Sequence, residues 1–141
     1  EIEYGLGKCD ILKISDNEVE FLFGTTDYDL GAKLLKEKYN IPLILITLGP
    51  NGSRAYYKDM RVEVAPFLQE KTIETTGAGD TFCASSLNYV LEHRLDNLTE
   101  ENLTELLTFA NAAASLITTK KGALKVMPEK EEVLAFIASR L

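Results

Sequence analysis

Glu74-Thr75-Thr76-Gly77-Ala78-Gly79-Asp80-Thr81-Phe82 is the stretch around which this chain is organised. Two β-branched threonines run into a Gly-Ala-Gly turn, and an acid follows at once. Beyond Asp80 the pattern is helical: Cys83, Ser86, Leu87, Val90 and Leu91 recur at spacings of three, four, seven and eight. The glycines therefore sit where a loop becomes a helix. A helix start leaves N–H groups without intrahelical acceptors and carries the positive end of the macrodipole, so it attracts an anion. Glycine lets that backbone reach the anion with no Cβ in the way. An acid beside an anion site is electrostatically unfavourable and needs a reason, and the residues alone leave two open. Either Asp80 caps the helix and the glycines make an ordinary turn, or Asp80 takes a proton from a nucleophile that attacks a phosphoryl group.

Composition narrows the class. A chain of 141 residues suits one compact domain, and 45% hydrophobic with 26% charged residues supports a globular core rather than disorder. The net charge of −7 argues against nucleic acid or an anionic membrane as the main partner. A phosphate held by a local dipole is compatible with it. Cys9 and Cys83 lie far apart and form no C-x-x-C, so no disulfide framework is expected, and two thiols fit a reducing cytoplasm. No apolar run reaches membrane-spanning length, and no signal peptide is visible at the start. The chain opens without Met and enters the apolar segment Cys9–Ile14 within nine residues, which leads us to expect a piece of a longer protein.

Along the chain, Cys9–Ile14 reads as a buried strand. Ser15-Asp16-Asn17-Glu18 spells a capping box for a short helix over about Asp16–Phe23, stopped by Gly24. Thr25-Thr26-Asp27 restarts a helix that ends near Asn40, with Leu30, Leu34 and Leu35 on its inner side and a solvated face at Lys33–Lys38. Pro42–Leu48 is apolar almost throughout, as a parallel strand covered on both faces would be. Gly49–Gly52 breaks it, and Ser53–Lys58 and Met60–Ala65 alternate as a hairpin around Lys58-Asp59. Pro66–Lys71 is irregular. After the helix that runs to about His93, Thr99 is placed as the N-cap of a long amphipathic helix carrying Leu103, Leu106, Leu107, Ala110, Ala113, Ala114 and Ile117. Thr118–Pro128 is a loop around Gly122, and a last helix carries Val133, Phe136 and Ile137. The order is α/β, with no internal repeat or linker and too few strands for a full doubly wound sheet. His93, the only histidine, sits at a helix end and is read as structural.

Thr75–Phe82, T-T-G-A-G-D-T-F, resembles the C-terminal signature of the ribokinase/fructokinase (PfkB) family of sugar kinases. No G-x-x-x-x-G-K-[ST] occurs, and G-x-G-x-x-G fails because Phe82 stands in place of the third glycine. The resemblance implies a Rossmann-like, ribokinase-type α/β fold, with residues 1–141 as a single-domain fragment, the C-terminal nucleotide-binding part of a larger αβα sandwich. It implies ATP-dependent phosphoryl transfer to a sugar hydroxyl, with Asp80 as the base, the amides of Gly77, Ala78, Gly79 and Asp80 around the developing charge, and Mg²⁺ on the phosphates. The sugar would be held by an N-terminal half not in this sequence, so the fragment alone is expected to lack turnover, and a homodimer is among the expectations for the full-length form. K-I-S-D-N-E at Lys13–Glu18 and K-G-A-L at Lys121–Leu124 resemble the fructokinase branch, which makes fructose the first guess.

The same resemblance distributes further roles. Thr47-Leu48-Gly49-Pro50-Asn51-Gly52 is similar to the family's T-L-G-x-x-G, which implies nucleotide contacts from Thr47, Gly49 and Gly52. Its residues also fit an ordinary strand-to-hairpin turn. Glu18 matches the Glu of the family's N-x-x-E element, with Ser15 in place of Asn, which implies a Mg²⁺ role, often through water. The capping box is the competing reading of the same two residues, and a second frame, Asn17 and Glu20, breaks the spacing to Gly24. Asn111 lies in the apolar stripe of the long helix, where an amide needs a partner. The resemblance places it, with Gly122, beside the nucleotide. Glu74 stands where the family has Asp, and the resemblance leaves a K⁺ site open at Glu74 and Thr76. A different class of function, a non-catalytic nucleotide-binding or assembly domain, competes with the kinase reading.

Overall fold

Leu43-Ile44-Leu45-Ile46-Thr47 is apolar at four successive positions because both of its faces are covered. In this computed structural model, which describes residues 1–68, 77–119 and 128–140, the segment forms β2 (Leu43–Thr47) inside a four-stranded sheet. β2 runs parallel to β1 (Ile11–Ser15) and antiparallel to β3 (Ser53–Tyr57), which turns back into β4 (Met60–Val64) in the order β1-β2-β3-β4. The hairpin turn falls on Lys58-Asp59, and Lys58 takes the left-handed conformation there (φ 53°). Ser15 is paired with Thr47, so the two parallel strands end together at one edge of the sheet.

The period of two then sorts the core into layers. Leu43 and Leu45, with Ala55 and Tyr57, pack against α4 (Ala78–His93) and α5 (Glu100–Ile117), where they meet Phe82, Val90, Leu103, Leu106, Leu107 and Ala110. Ile44 and Ile46, with Ile14, face the other way, onto Val19 of α2 (Asp16–Phe23) and Ala32 and Leu35 of α3 (Tyr28–Tyr39). Helices on both faces of a mixed sheet give the αβα arrangement the resemblance implied.

Local chemistry fixes the helix ends. Ser15 and Glu18 form the expected capping box, and Gly24 ends α2 in the left-handed conformation (φ 62°). The Asp27 side chain accepts from Leu30 N–H at the start of α3, and Asn40 closes that helix at φ 54°. Thr99 caps α5 reciprocally with Asn102. His93 ends α4, stacked on Tyr89 with ring centroids 3.9 Å apart. The lysines at 33, 36 and 38 are exposed, as a solvated face requires.

Several expectations are corrected. A helix, α1 (Ile2–Gly7), precedes β1, where we expected none, and β1 begins at Ile11 rather than Cys9. The inner side of α3 is Gly31, Ala32 and Leu35, and Leu30 is exposed. The reason is Gly31: a Cβ there would press on the Val19 side chain, so α2 and α3 approach through a glycine rather than a leucine. On α4 the buried face is Thr81, Phe82, Ser86 and Val90, while Leu91 is 82% exposed. α4 also begins at Ala78, ahead of Asp80. A final helix, α6 (Lys130–Arg140), lies on α5 through buried Val133.

Between β2 and β3 the chain makes a single 3₁₀ turn over Gly49–Asn51 and leaves it at Gly52 with φ 95°, ψ −141°, a region open essentially to glycine. A Cβ on Gly52 would overlap the carbonyl oxygen of Val64 at the end of β4. Gly49 also has positive φ (54°), but nothing lies where its Cβ would go. Gly52→Ala is therefore expected to cost about 2–5 kcal/mol, backbone strain plus overpacking, and Gly49→Ala only about 1–2 kcal/mol. Urea denaturation of the two variants checks this; equal losses would contradict it.

Candidate functional site

The paired ends of β1 and β2 face the start of α4 across a cleft of about 530 Å³. Parallel strands deliver their carboxyl ends to one place, and ligands of open α/β sheets gather there. The cleft is lined by Thr47, Gly49 and Gly52 from the end of β2 and its turn, by Ala78 and Gly79 from α4, and by Asn111 from α5. Six residues singled out in the sequence thus converge on one concavity. Gly77, Asp80 and Glu18 do not line it. Glu74, Thr76 and Gly122 lie outside the described residues.

The start of α4 leaves backbone donors uncapped. Gly77 is the N-cap at φ 85°, ψ −5°, with no side-chain cap, and the first intrahelical bond is Thr81 N–H to Gly77 C=O at 2.8 Å. The amides of Ala78, Gly79 and Asp80 precede that bond and have no intrahelical acceptor. Asp80 is the third residue of the helix rather than its cap, so the capping explanation for this acid does not hold. It is exposed and one residue on from Gly79, a step of about 100° around the axis, which separates the cleft wall from the carboxylate.

Lys13 was missed in the sequence. It sits on β1 between residues that pack on the α2–α3 side, so its own side chain belongs to the α4 face. A Cβ on Gly79 would stand 3.3 Å from its ammonium nitrogen, so Lys13 reaches the N-terminus of α4. It takes part in none of the ion pairs within 4 Å among the described residues. A cation against the positive end of a helix dipole is unfavourable unless an anion joins them. The signal was available: Ile-Leu-Lys-Ile is a lone cation inside an apolar strand.

Glu18 serves the capping box. Its Oε2 accepts from Ser15 N–H at 2.7 Å and from the Ser15 hydroxyl at 3.0 Å. The Ser15 backbone bond, assisted by the Ser15 hydroxyl and the charge of Lys13, holds its carboxyl below the ordinary value against the opposing effect of burial. Ser15 and Asp16 from the same turn line the cleft. Among the described residues no group of three or more His, Cys, Asp or Glu is placed to hold a metal.

Asn111 makes three hydrogen bonds. Its Oδ1 accepts from the Ser53 hydroxyl at 2.8 Å, and its Nδ2 donates to Val64 C=O at 3.4 Å and Ala65 C=O at 3.2 Å. It ties α5 to β3 and to the end of β4 while forming part of the cleft wall. The apolar remainder of the wall comes from Pro66, Phe67, Leu68 and Ala114, which carried no motif in the sequence. Among the described residues no helix is long and apolar enough to cross a membrane.

Comparison with known proteins agrees with this architecture. The model of the pfkB family carbohydrate kinases matches residues 1–130. A probable fructokinase-2 of Arabidopsis thaliana is 41% identical over 130 residues, which is 92% of this chain and 39% of that protein. Among solved structures, a Vibrio cholerae O395 fructokinase bound to fructose, ADP and potassium ion superposes with a TM-score of 0.83 at 29% identity, covering 95% of this chain and 42% of that one. An Arabidopsis thaliana ribokinase bound to ribose and ATP gives 0.76 at 28% identity, over 96% and 43%. This chain therefore spans about two-fifths of the length of each of these three relatives, and with a signature loop, a ribokinase-type fold and a family match over residues 1–130, it belongs to the pfkB family of carbohydrate kinases.

Proposed function

We propose that this chain is the nucleotide-binding part of an ATP-dependent sugar kinase, and that the cleft between β1, β2 and α4 holds ATP. The observation that carries the reading is the meeting of the open α4 N-terminus and Lys13 on one side with Thr47, Gly49, Gly52 and Asn111 on the other. The triphosphate lies against the amides of Ala78 and Gly79 and the Lys13 ammonium, where dipole and charge both favour it. Asp80, turned away from the nucleotide wall, accepts the proton of the attacking sugar hydroxyl. The amides of Gly77 to Asp80 stabilise charge as it develops on the transferred group. Fructose is the favoured acceptor, because the relatives with the highest identities carry fructokinase names.

The residues fit a bound Mg²⁺ in one specific way. Mg²⁺ commonly keeps several waters and takes one or two carboxylates plus phosphate oxygens, and Asp16 at the cleft wall and ionised Glu18 behind it are the carboxylates available. When bound, the ion neutralises phosphate charge. A K⁺ site at Glu74 and Thr76 remains a proposal on residues outside those described.

A second reading, a domain that binds nucleotide without turnover, is favoured by the span of the chain, which matches only 39% of the Arabidopsis fructokinase-2 relative. Both readings expect ATP–Mg²⁺ to shift the Gly49 and Gly79 amide resonances at millimolar ligand; no shift at either would contradict them. The 141-residue chain by itself is expected to show no sugar-dependent ADP release, and release at kinase-like rates would overturn that. In a full-length protein containing this chain, Asp80→Asn should lower kcat by about two to four powers of ten while ATP affinity is little changed. Stability should fall by at most about 1 kcal/mol, the charge–dipole contribution of a first-turn acid. A near-wild-type kcat at saturating fructose would remove Asp80 from the role of base.

A further inference from the structure

We propose that Phe136, on α6, is a positioning residue for the nucleoside side of the cleft, acting through Phe67. The inference rests on the nucleotide reading above and concerns a helix that begins where the family match ends, at residue 130.

Phe67 belongs to the segment that leaves β4 and lines the cleft with Pro66 and Leu68. Its backbone is held, because the Ser115 hydroxyl of α5 donates to the Phe67 carbonyl and Pro66 fixes the preceding φ. Its ring is held by Phe136, with ring centroids 5.6 Å apart and planes tilted by 51°. Such tilted pairs are favourable beyond the area they bury. Phe136 is itself fixed on two sides. Val133, 1% exposed, seats α6 on Ala112 and Ala113 of α5. The Arg140 guanidinium, one turn further on, lies 5.1 Å from the centre of the Phe136 ring.

The cleft divides by chemistry. Lys13 and the α4 amides suit the phosphates, whereas Phe67, with Pro66, Leu68 and Ala114, presents an apolar and aromatic wall to a flat heteroaromatic base. Nothing on α6 lines the cleft, so Phe136 reaches the base only through the orientation of the Phe67 ring. Loss of Phe136 leaves the phosphate contacts in place and frees that ring.

The test compares ATP with inorganic tripolyphosphate, the latter measured by competition against ATP, on the wild-type chain and on Phe136→Ala. The Kd for ATP should rise about three- to tenfold, the size of an aromatic pair, while the Kd for tripolyphosphate stays within about twofold. Phe136→Tyr, which keeps the ring, should behave as wild type. A loss of both affinities by the same factor, or of neither, overturns the proposal. A wild-type chain that binds no ATP overturns the nucleotide reading itself, which separates the two failures. If the melting curve shows Phe136→Ala to be unfolded, Phe136→Leu takes its place with the same split expected, and equal effects on both ligands again overturn it.

Discussion

The carbonyl oxygen of Val64 is where the packing of the sheet against α5 is locked. Gly52 approaches it closely enough to exclude a Cβ, and Asn111 donates to it and to the next carbonyl while accepting from Ser53. Three elements, the turn after β2, the end of the β3–β4 hairpin and the middle of α5, are brought into register at that point. An amide packed between a helix and a sheet needs partners, and the bonds of Asn111 to Ser53, Val64 and Ala65 tie α5 to the sheet at a set distance. The width of the cleft follows, since its walls are those same elements. The glycine and the asparagine hold these elements together and line the cleft at once.

Charge at the cleft runs against charge in the whole. The chain carries a net −7, yet the start of α4 and Lys13 make one side of the cleft locally positive. Fields from surface acids are screened within about one Debye length, roughly 8–10 Å, whereas the helix amides and the ammonium act at contact distance. Three acids border this region, and of these only Asp16 lines the cleft. Glu18 spends its Oε2 on Ser15, and Asp80 is displaced around the helix from the amides that face the cleft.

Membership of the pfkB family and the geometry support one another from different sides. Of the family signature, Ala78, Gly79 and Phe82 line the cleft, which is made by packing the start of α4 against the strands and α5. The chain spans about two-fifths of the Arabidopsis fructokinase-2 relative and of the Vibrio cholerae fructokinase.

The sequence by itself determined the layers, the caps and the family. A continuous apolar run marked β2 as covered on both faces, Ser15–Glu18 and Thr99 started helices and Gly24 stopped one locally, and T-T-G-A-G-D-T-F carried the resemblance. Each of these depends on residues within a few positions of one another, where spacing and side-chain type are sufficient. Only the tertiary structure decided that Gly31 rather than Leu30 faces α2, that Asp80 stands third in its helix behind a glycine cap, that Lys13 reaches Gly79, and that Phe67 rests on Phe136. The close contacts among these join segments remote in the chain. Their partners are chosen by how closely two backbones can approach and by which face of an element meets the sheet, and no local period records either.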